Sequence, residues 1–115
     1  MKQILVVRKG EIISARAQVA SSLFERIVGL LNRSGLDPDE ALLLEPCQSV
    51  HTFFMRFPID VVFLDKENTV LGVSHLKPWR ISKHYFRAHA VLEAPLGFCN
   101  KHQVENGQKL EIRHV

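Results

Sequence analysis

Short runs of β-forming residues bounded by turn residues recur along this chain, and such runs predict β-strands. The first run covers residues 4–7 and the second covers residues 11–15, with Arg8, Lys9 and Gly10 between them. Glycine adopts the left-handed conformation without strain, so Gly10 predicts a tight turn between two antiparallel strands. The first element of the fold is therefore expected to be a β-hairpin.

One segment follows a helical period instead. Between Ser22 and Leu31 the apolar residues recur every three or four positions, which predicts an amphipathic helix. Ser22 and Glu25 have the spacing of a capping box, in which the hydroxyl and the carboxylate each accept a hydrogen bond from a backbone N–H. Gly35 lies just beyond the expected end. The sequence predicts this segment as the one main helix.

The remaining apolar runs predict further strands separated by turn residues. We expect strands at 41–44, 49–57, 59–64, 69–76, 89–94 and 110–112, and one helical turn at 98–102. In the second of these strands His51, Phe53 and Met55 are expected to face one way, because side chains alternate across a strand. The third strand is apolar on both faces except at Asp60, so this carboxylate is expected in or beside the core.

About seven strands and one main helix predict a mainly β fold. The helices that parallel crossovers require are absent, so the expected architecture is a compact antiparallel β-sandwich or an open barrel. The chain has 115 residues, the length of one typical domain, and residues 1–115 are expected to form a single domain.

Composition and charge narrow the class of protein. Hydrophobic residues make up 46% of the chain and charged residues 23%, as in ordinary globular domains. The formal net charge of +3 is compatible with an anionic ligand but is small for a nucleic-acid-binding domain, so nucleic acid is not the favoured partner. No apolar run approaches the roughly 20 residues that cross a bilayer, and no signal peptide is recognisable. We expect a cytoplasmic protein without a membrane partner, in which Cys47 and Cys99 are free thiols.

The most specific pattern in the chain is HTFFMRFPIDVVFLD, from His51 to Asp65. With Cys47 before it and VLGV, PWRIS and VLEAPLG after it, the chain resembles the uncharacterised bacterial and archaeal family named domain of unknown function 192. The resemblance covers almost the whole chain and implies a compact β-rich fold, but it implies no activity. This chain departs from the family pattern at Pro95-Leu96-Gly97, where Pro-Ala-Gly is usual, and at Gly107-Gln108, where Gly-Asp is usual. The second departure puts any role of that acid in doubt.

Four polar residues on or beside the predicted strands are candidates for a site. Arg56 and Asp60 lie close together in sequence, so they could form a structural ion pair, or Asp60 could orient Arg56 toward an anion. His51 titrates near neutral pH, and Glu93 interrupts an otherwise apolar strand. Acid–base catalysis would require Glu93 or Asp60 within hydrogen-bond distance of His51.

The segment from Lys77 to Arg87 interleaves basic and aromatic residues, which is typical of three different surfaces. It could stack nucleic-acid bases and neutralise phosphates, or it could be a plain solvated loop. It could also line a small-ligand pocket, with Trp79 as the apolar wall and Arg80 binding an anionic group.

Other kinds of site find little support. The two cysteines and six histidines have no pair with the spacing of a structural zinc site, so neither a metal nor a cofactor is predicted. No phosphate-binding glycine loop and no nucleophile elbow is present, and no catalytic residue is assigned.

We favour a non-catalytic binding or interaction module for a small anionic or polyhydroxylated ligand. Its candidate site consists of His51, Arg56, Asp60, Trp79, Arg80 and Glu93. The alternatives are a hydrolase-like enzyme that uses His51 with Glu93 or Asp60, and a single-stranded nucleic-acid adaptor that binds through the segment from Lys77 to Arg87. A protein partner also remains open.

Overall fold

A computed structural model describes residues 2–22, 25, 30–31 and 33–115, and within them the chain forms seven strands and one short helix. The strands are β1 (Lys2–Arg8), β2 (Glu11–Ala20), β3 (Glu40–Leu44), β4 (Ile59–Leu64), β5 (Val70–Leu76), β6 (Ala90–Pro95) and β7 (Glu111–His114), and helix α1 (Phe98–His102) lies between β6 and β7. Among the described residues, no helix has the length and apolar character needed to cross a membrane.

Most of the main helix predicted between Ser22 and Leu31 lies outside the described residues. Two hydrogen bonds at its expected start are described, however. The Ser22 hydroxyl accepts a hydrogen bond from the amide of Glu25 at 3.2 Å, which is the first bond of a capping box. The Glu25 carboxylate accepts one at 3.0 Å from the amide of Ser21, not from that of Ser22 as a capping box requires.

All seven strands belong to one sheet, in the order β5-β4-β6-β3-β2-β1-β7. The sheet is not closed, but its edges approach each other at one place, where the amide of Val70 donates to the carbonyl of Gln108 at 2.8 Å. The predicted mainly β fold is confirmed. The single curled sheet corresponds to the open barrel of the two architectures that the sequence allowed.

Neighbouring strands are antiparallel, as predicted, except that β2 and β3 run parallel. Residues 21–39 connect this pair and are numerous enough for the crossover that parallel strands need. The predicted first hairpin is confirmed: Arg8 pairs with Glu11, and Lys9 and Gly10 have φ values of 49° and 78°. Positive φ at both turn residues matches the twist of the flanking strands.

Side-chain alternation along the strands produces one hydrophobic cluster on each face of the sheet. The inner cluster lies on the side of α1 and includes Val62, Leu64 and Phe98. The outer cluster includes Val61 and Phe63, and it is covered by loops that contribute Val50, Met55, Phe57 and Ala88. The inner side of the core therefore packs on α1, the outer side is covered by these loops together with Leu30, and β4 is buried from both sides.

The strand predicted at residues 49–57 is wrong, because this segment is mostly irregular. Its one β-bridge joins His51 to Ile81. Phe54 has a φ of 67°, and the amide of Met55 donates to the carbonyl of Thr52 at 3.2 Å, so the chain turns there. His51 is exposed whereas Met55 is buried, so the two side chains do not share a face. Buried and exposed residues alternate in this segment although no strand ladder forms, and this alternation explains why the sequence predicted a strand.

Candidate functional site

The structure divides the predicted site residues between the core and the surface. Asp60 on β4 and Glu93 on β6 are completely buried. Asp60 lies on the inner face with Val62, whereas Glu93 alternates with the inner-facing Leu92 and so lies on the outer face. The other four residues are exposed on loops: His51, Arg56, Trp79 and Arg80. The six residues are therefore not brought together in one place.

Asp60 binds partners that the sequence did not predict. Its Oδ1 lies 2.6 Å from Nδ1 of His75, and its Oδ2 accepts a hydrogen bond from the amide of Cys99 at 2.9 Å. Both carboxylate oxygens are thus engaged, and Arg56 is exposed to solvent. The ion pair considered between Arg56 and Asp60 does not form.

The position of Asp60 explains this choice of partners. The register of β4 and β5 places Asp60 opposite His75. Helix α1 begins after Gly97, which has a φ of 92° and makes no side-chain cap. Amides in the first turn of a helix have no acceptor within the helix, and Asp60 supplies one to Cys99. Asp60 therefore joins β4, β5 and α1.

His75 is held by a buried carboxylate while its own side chain is 61% exposed. With Nδ1 engaged by Asp60, Nε2 lies on the opposite edge of the imidazole ring. This is the orientation that a carboxylate gives to a general base. The adjacent thiol of Cys99 is not an activated nucleophile, because burial, reinforced by the charge of Asp60, raises its pKa to about 12.

His51 and the two carboxylates considered for its acid–base pairs lie in different environments. His51 is exposed, and its Nδ1 accepts a hydrogen bond from the amide of Phe53 at 3.3 Å. Asp60 and Glu93 are completely buried, and both carboxylate oxygens of Asp60 bind other partners. No cluster of three or more His, Cys, Asp or Glu residues suited to a metal occurs among the described residues, and Cys47 and Cys99 are free thiols.

Four rings from two loops form an exposed group that we call the aromatic cluster: His51, Phe53, Phe54 and Trp79. Ring centroids are 4.8 Å apart for His51 and Phe53, 5.8 Å for Phe53 and Trp79, and 4.6 Å for Phe54 and Trp79. Phe54 is 67% exposed and Trp79 is 55% exposed. A contiguous exposed group of large apolar rings is characteristic of an interaction surface.

The backbone under the aromatic cluster is strained at two positions. Phe54 has a φ of 67° and Trp79 has a φ of 65°. This left-handed conformation is uncommon for bulky residues and costs roughly 1–3 kcal/mol at each position. Such strain persists only where the surrounding structure enforces it.

Thr52 is the residue that enforces this geometry. It is completely buried, and its hydroxyl donates to the carbonyl of Lys77 at 2.6 Å and accepts from the amide of Arg80 at 2.9 Å. Its own amide donates to the carbonyl of Arg80 at 2.8 Å, and its carbonyl accepts from the amide of Trp79 at 2.9 Å. Through these hydrogen bonds Thr52 fixes the position of the loop of Trp79 relative to the loop of Phe54.

The loops that carry the aromatic cluster are positively charged. Residues 46–58 and 77–89 contain five of the 15 Lys and Arg residues and none of the 12 Asp and Glu residues. The rest of the chain has ten basic and twelve acidic residues, so the small net charge of +3 conceals a segregation of charge. All five basic residues are exposed: Arg56, Lys77, Arg80, Lys83 and Arg87.

The sequence prediction named Trp79, Arg80 and His51 as candidates, but it did not name Phe54 or His75. The adjacent rings of Phe53 and Phe54 carried a signal, because neighbouring side chains of a strand cannot both face one core. His75 could have been found by counting outward from the predicted turn at residues 66–68.

The comparisons with known proteins agree with the fold. The model of the DUF192 family, described as "Uncharacterized ACR", matches residues 4–112. A UPF0127 protein of Pyrococcus abyssi (strain GE5 / Orsay) is 36% identical over 102 residues, which cover 84% of this chain and 85% of the relative. A UPF0127 protein of Pyrococcus furiosus is 34% identical over 114 residues, which cover 94% and 96% of the two chains.

Two crystal structures are similar over most of the chain. One is a protein of Sinorhizobium meliloti 1021 described as a "putative transcription regulator", with a TM-score of 0.78, 19% identity and coverage of 96% of this chain and 92% of that one. The other is a protein of unknown function from Novosphingobium aromaticivorans, with a TM-score of 0.79, 20% identity and coverage of 95% and 83%. At this identity the likeness shows the shared fold.

Proposed function

Because the chain belongs to the DUF192 family, whose description names no activity, we propose its function from its own surface: a non-catalytic binding module that recognises its ligand through the aromatic cluster. One observation carries this proposal. Phe54 and Trp79 both have positive φ, yet their rings are in contact and more than half exposed.

The argument rests on two unfavourable free energies at the same place. Each left-handed aromatic residue costs roughly 1–3 kcal/mol. Leaving such a ring in water also forfeits about 1.5–3 kcal/mol that its burial would contribute. Contact between the two rings offsets only part of this cost, because each ring remains more than half exposed. Binding of a ligand on the rings offsets the second term and uses the rigidity that the strained loops provide.

The residues around the rings indicate the chemistry of the ligand. Aromatic faces stack on planar rings and on the apolar faces of sugars, while Arg80 and Arg56 favour negative charge. The proposed ligand is a small anionic or polyhydroxylated molecule with a flat face, and His51 contributes to the polar rim. Asp60 and Glu93, being buried, support the fold and do not touch the ligand. The proposal includes a cytoplasmic setting, which the two free thiols support.

Trp79 is the only tryptophan of the chain, so its fluorescence reports directly on the aromatic cluster. We expect thymidine monophosphate and glucose 6-phosphate to change this fluorescence saturably and inorganic phosphate to change it less. Phe54→Ala should weaken the effect at least about threefold, because it removes one face of the stack.

The matched control is Ile12→Ala. Ile12 is 49% exposed, and the adjoining hairpin turn lies beside Glu67 and Asn68, at the opposite end of β4 from the aromatic cluster. Its removal should leave the titration unchanged. The proposal fails if none of the three probes gives a saturable change, or if Ile12→Ala and Phe54→Ala lose binding equally.

A hydrolase is the second candidate, and the observation that favours it is the 2.6 Å contact between Asp60 and His75. This pair replaces the pairs of His51 with Glu93 or Asp60 that the sequence suggested. Hydrolysis of p-nitrophenyl esters or phosphates by the purified protein, lost in a folded His75→Gln variant, would favour the enzyme. Turnover unchanged in that variant, or no turnover, would reject it.

A further inference from the structure

Two loop segments, residues 46–58 and 77–89, lie side by side over the outer face of the sheet, and we call them the loop layer. Five backbone hydrogen bonds of 2.8 to 3.0 Å join them. Thr52 binds both Trp79 and Arg80, and the other pairs are Val50 with Ser82, Gln48 with Tyr85, and Cys47 with His89. The ring of Tyr85 stacks on Phe63 of β4 at a centroid distance of 4.1 Å. The second segment is thus held extended along the length of β4.

The loop layer carries exposed aromatic rings at both of its ends. The aromatic cluster lies near the end of β5, where Leu76 pairs with Ile59 at the start of β4. Phe86 is 84% exposed, and its ring centroid lies 4.6 Å from that of His84. The side chain lines a hollow beside Asp65, just after the end of β4. The two ring surfaces are therefore separated by about the length of this six-residue strand, which is about 20 Å. A strand of several nucleotides reaches both, whereas a single small molecule reaches one.

Positive charge fills the space between and beside these rings. Arg80 and Lys83 lie between Trp79 and Phe86 in the extended segment. Arg56 and Lys77, also exposed, belong to the loops of the aromatic cluster. Within the described residues, none of these four cations forms an ion pair. Each is therefore available to a phosphate group.

The far end of the positive surface is marked by acidic residues. Arg87 shares the hollow beside Phe86 with Asp65 and Glu67. Hydrogen bonding by the backbone amide of Thr69 is the main cause of the lowered pKa of Asp65, and the charge of Arg87 adds to it. The cations from Lys77 to Lys83 have no carboxylate in their own loop layer, so the positive surface ends near Phe86.

From these features we propose that the loop layer binds single-stranded nucleic acid. Bases stack on the aromatic cluster and on Phe86, while phosphates contact Arg80 and Lys83. A duplex keeps its base faces stacked internally, so exposed rings favour a single strand. A neutral sugar carries no charge that could interact with the basic residues of the loop layer. This inference rests on the proposed function, because a nucleotide is a small anionic molecule with a flat face, and it adds that several nucleotides joined in one strand bind together.

The test is a fluorescence-anisotropy titration of the intact chain with a labelled oligothymidylate of about 12 nucleotides. We expect saturable binding that is tighter than that of thymidine monophosphate. The logarithm of the binding constant should fall against the logarithm of salt concentration with a slope of about −2 to −3, as expected if three or four cations engage phosphates. A duplex of equal length should bind more weakly.

Single substitutions separate stacking from charge. Trp79→Ala and Phe86→Ala should each weaken oligonucleotide binding about 5- to 150-fold, the range expected for loss of one stacked base. Arg80→Gln and Lys83→Gln should each reduce the magnitude of the salt slope by about 0.7. Lys101→Gln, an exposed lysine on α1 at the other face of the sheet, is the matched control and should leave both quantities unchanged.

The outcomes distinguish this inference from the proposed function. If thymidine monophosphate changes Trp79 fluorescence but the oligonucleotide binds no more tightly, the inference is overturned and the binding module stands. If neither ligand nor any other small probe binds, both are overturned. If Lys101→Gln reduces the salt slope as much as Arg80→Gln, binding follows general charge and the loop layer is not the site. If the oligonucleotide does not bind and the aromatic cluster is instead found to bind a protein, the proposed ligand class is wrong.

Discussion

Thr52 connects the two loops of the candidate site through its side chain and its peptide group. The hydroxyl and both backbone polar groups bind Lys77, Trp79 or Arg80. The side chain is completely buried, so these bonds form away from water. A buried hydroxyl that satisfies two backbone groups is costly to lose, because each group is left without its partner.

Thr52→Val removes the hydroxyl while keeping nearly the same shape. We expect the free energy of unfolding to fall by about 1–3 kcal/mol, because the amide of Arg80 and the carbonyl of Lys77 lose a partner. Urea unfolding measures this change, and Trp79 fluorescence should report a looser cluster. Thr69→Val is the control, since Thr69 binds Asp65 through its backbone amide. Equal effects in the two variants would contradict the role assigned to Thr52.

Gly72 is a second position at which a neighbouring side chain restricts the residue that can be accommodated. A Cβ added there would lie 2.8 Å from Cζ of Tyr85, and Tyr85 is itself stacked on Phe63. We expect Gly72→Ala to destabilise the protein by about 1–3 kcal/mol in urea unfolding, since the ring has to shift. Gly35→Ala, where no atom lies within 4 Å of the added Cβ, should have a much smaller effect. Indistinguishable stabilities would show that Tyr85 moves freely.

At the scale of elements, the sequence predicted the strands well because apolar alternation reports burial, and burial is what sheet formation requires. The hairpin of β1 and β2 and the turn between β4 and β5 followed from residues that tolerate positive φ, Gly10 and Asn68 among them. The same logic failed at residues 49–57. A loop lying on a sheet also alternates buried and exposed residues, and the pattern does not distinguish it from a strand.

The candidate site was predicted in part for a related reason. The chemical character of His51, Trp79 and Arg80 predicted that these residues lie at the surface. Which of them lie close together, however, depends on contacts between the loops. Thr52 makes those contacts, and a lone threonine carries no sequence signal. Asp60 was expected in or beside the core, yet its partner depended on the strand register that places it opposite His75.

Asp60→Asn tests the link among β4, β5 and α1. The amide that replaces one oxygen is a donor, so it cannot accept from both the amide of Cys99 and Nδ1 of His75. We expect a loss of about 1–3 kcal/mol in unfolding free energy and faster hydrogen exchange at Cys99. His75→Gln leaves the cap of α1 in place and should not accelerate that exchange. Accelerated exchange in both variants would mean that the contact with His75, rather than Asp60, holds α1.

At the scale of the whole molecule, one sheet separates two differently covered faces. The inner face packs on α1, and the outer face carries the loop layer with its positive charge. Opposite charges at the β2–β3 side form ion pairs instead, where Arg16 binds Asp37 and Asp39, and Arg33 binds Glu40. Arg16 and Arg33 are thus paired with carboxylates, whereas the basic residues of the loop layer are exposed to solvent.

These ion pairs predict how stability depends on pH. Hydrogen bonding by Arg33 holds the pKa of Glu40 below its usual range, and Arg16 does the same for Asp39. A carboxylate with a lowered pKa stabilises the fold above its unfolded pKa, and this contribution is lost as pH falls. We expect the urea midpoint to fall between about pH 5 and pH 2. Arg33→Gln should flatten this dependence and Lys101→Gln should not; equal slopes would contradict the assignment.

We propose that the ligand binds on the aromatic cluster and its loops and not on the inner face. Amide chemical-shift mapping during titration with thymidine monophosphate distinguishes these two surfaces. We expect shifts concentrated at residues 51–56 and 77–81 and at the indole N–H of Trp79, with α1 and β7 unchanged. Shifts concentrated around His75 and Cys99, or an unperturbed indole at saturation, would contradict it.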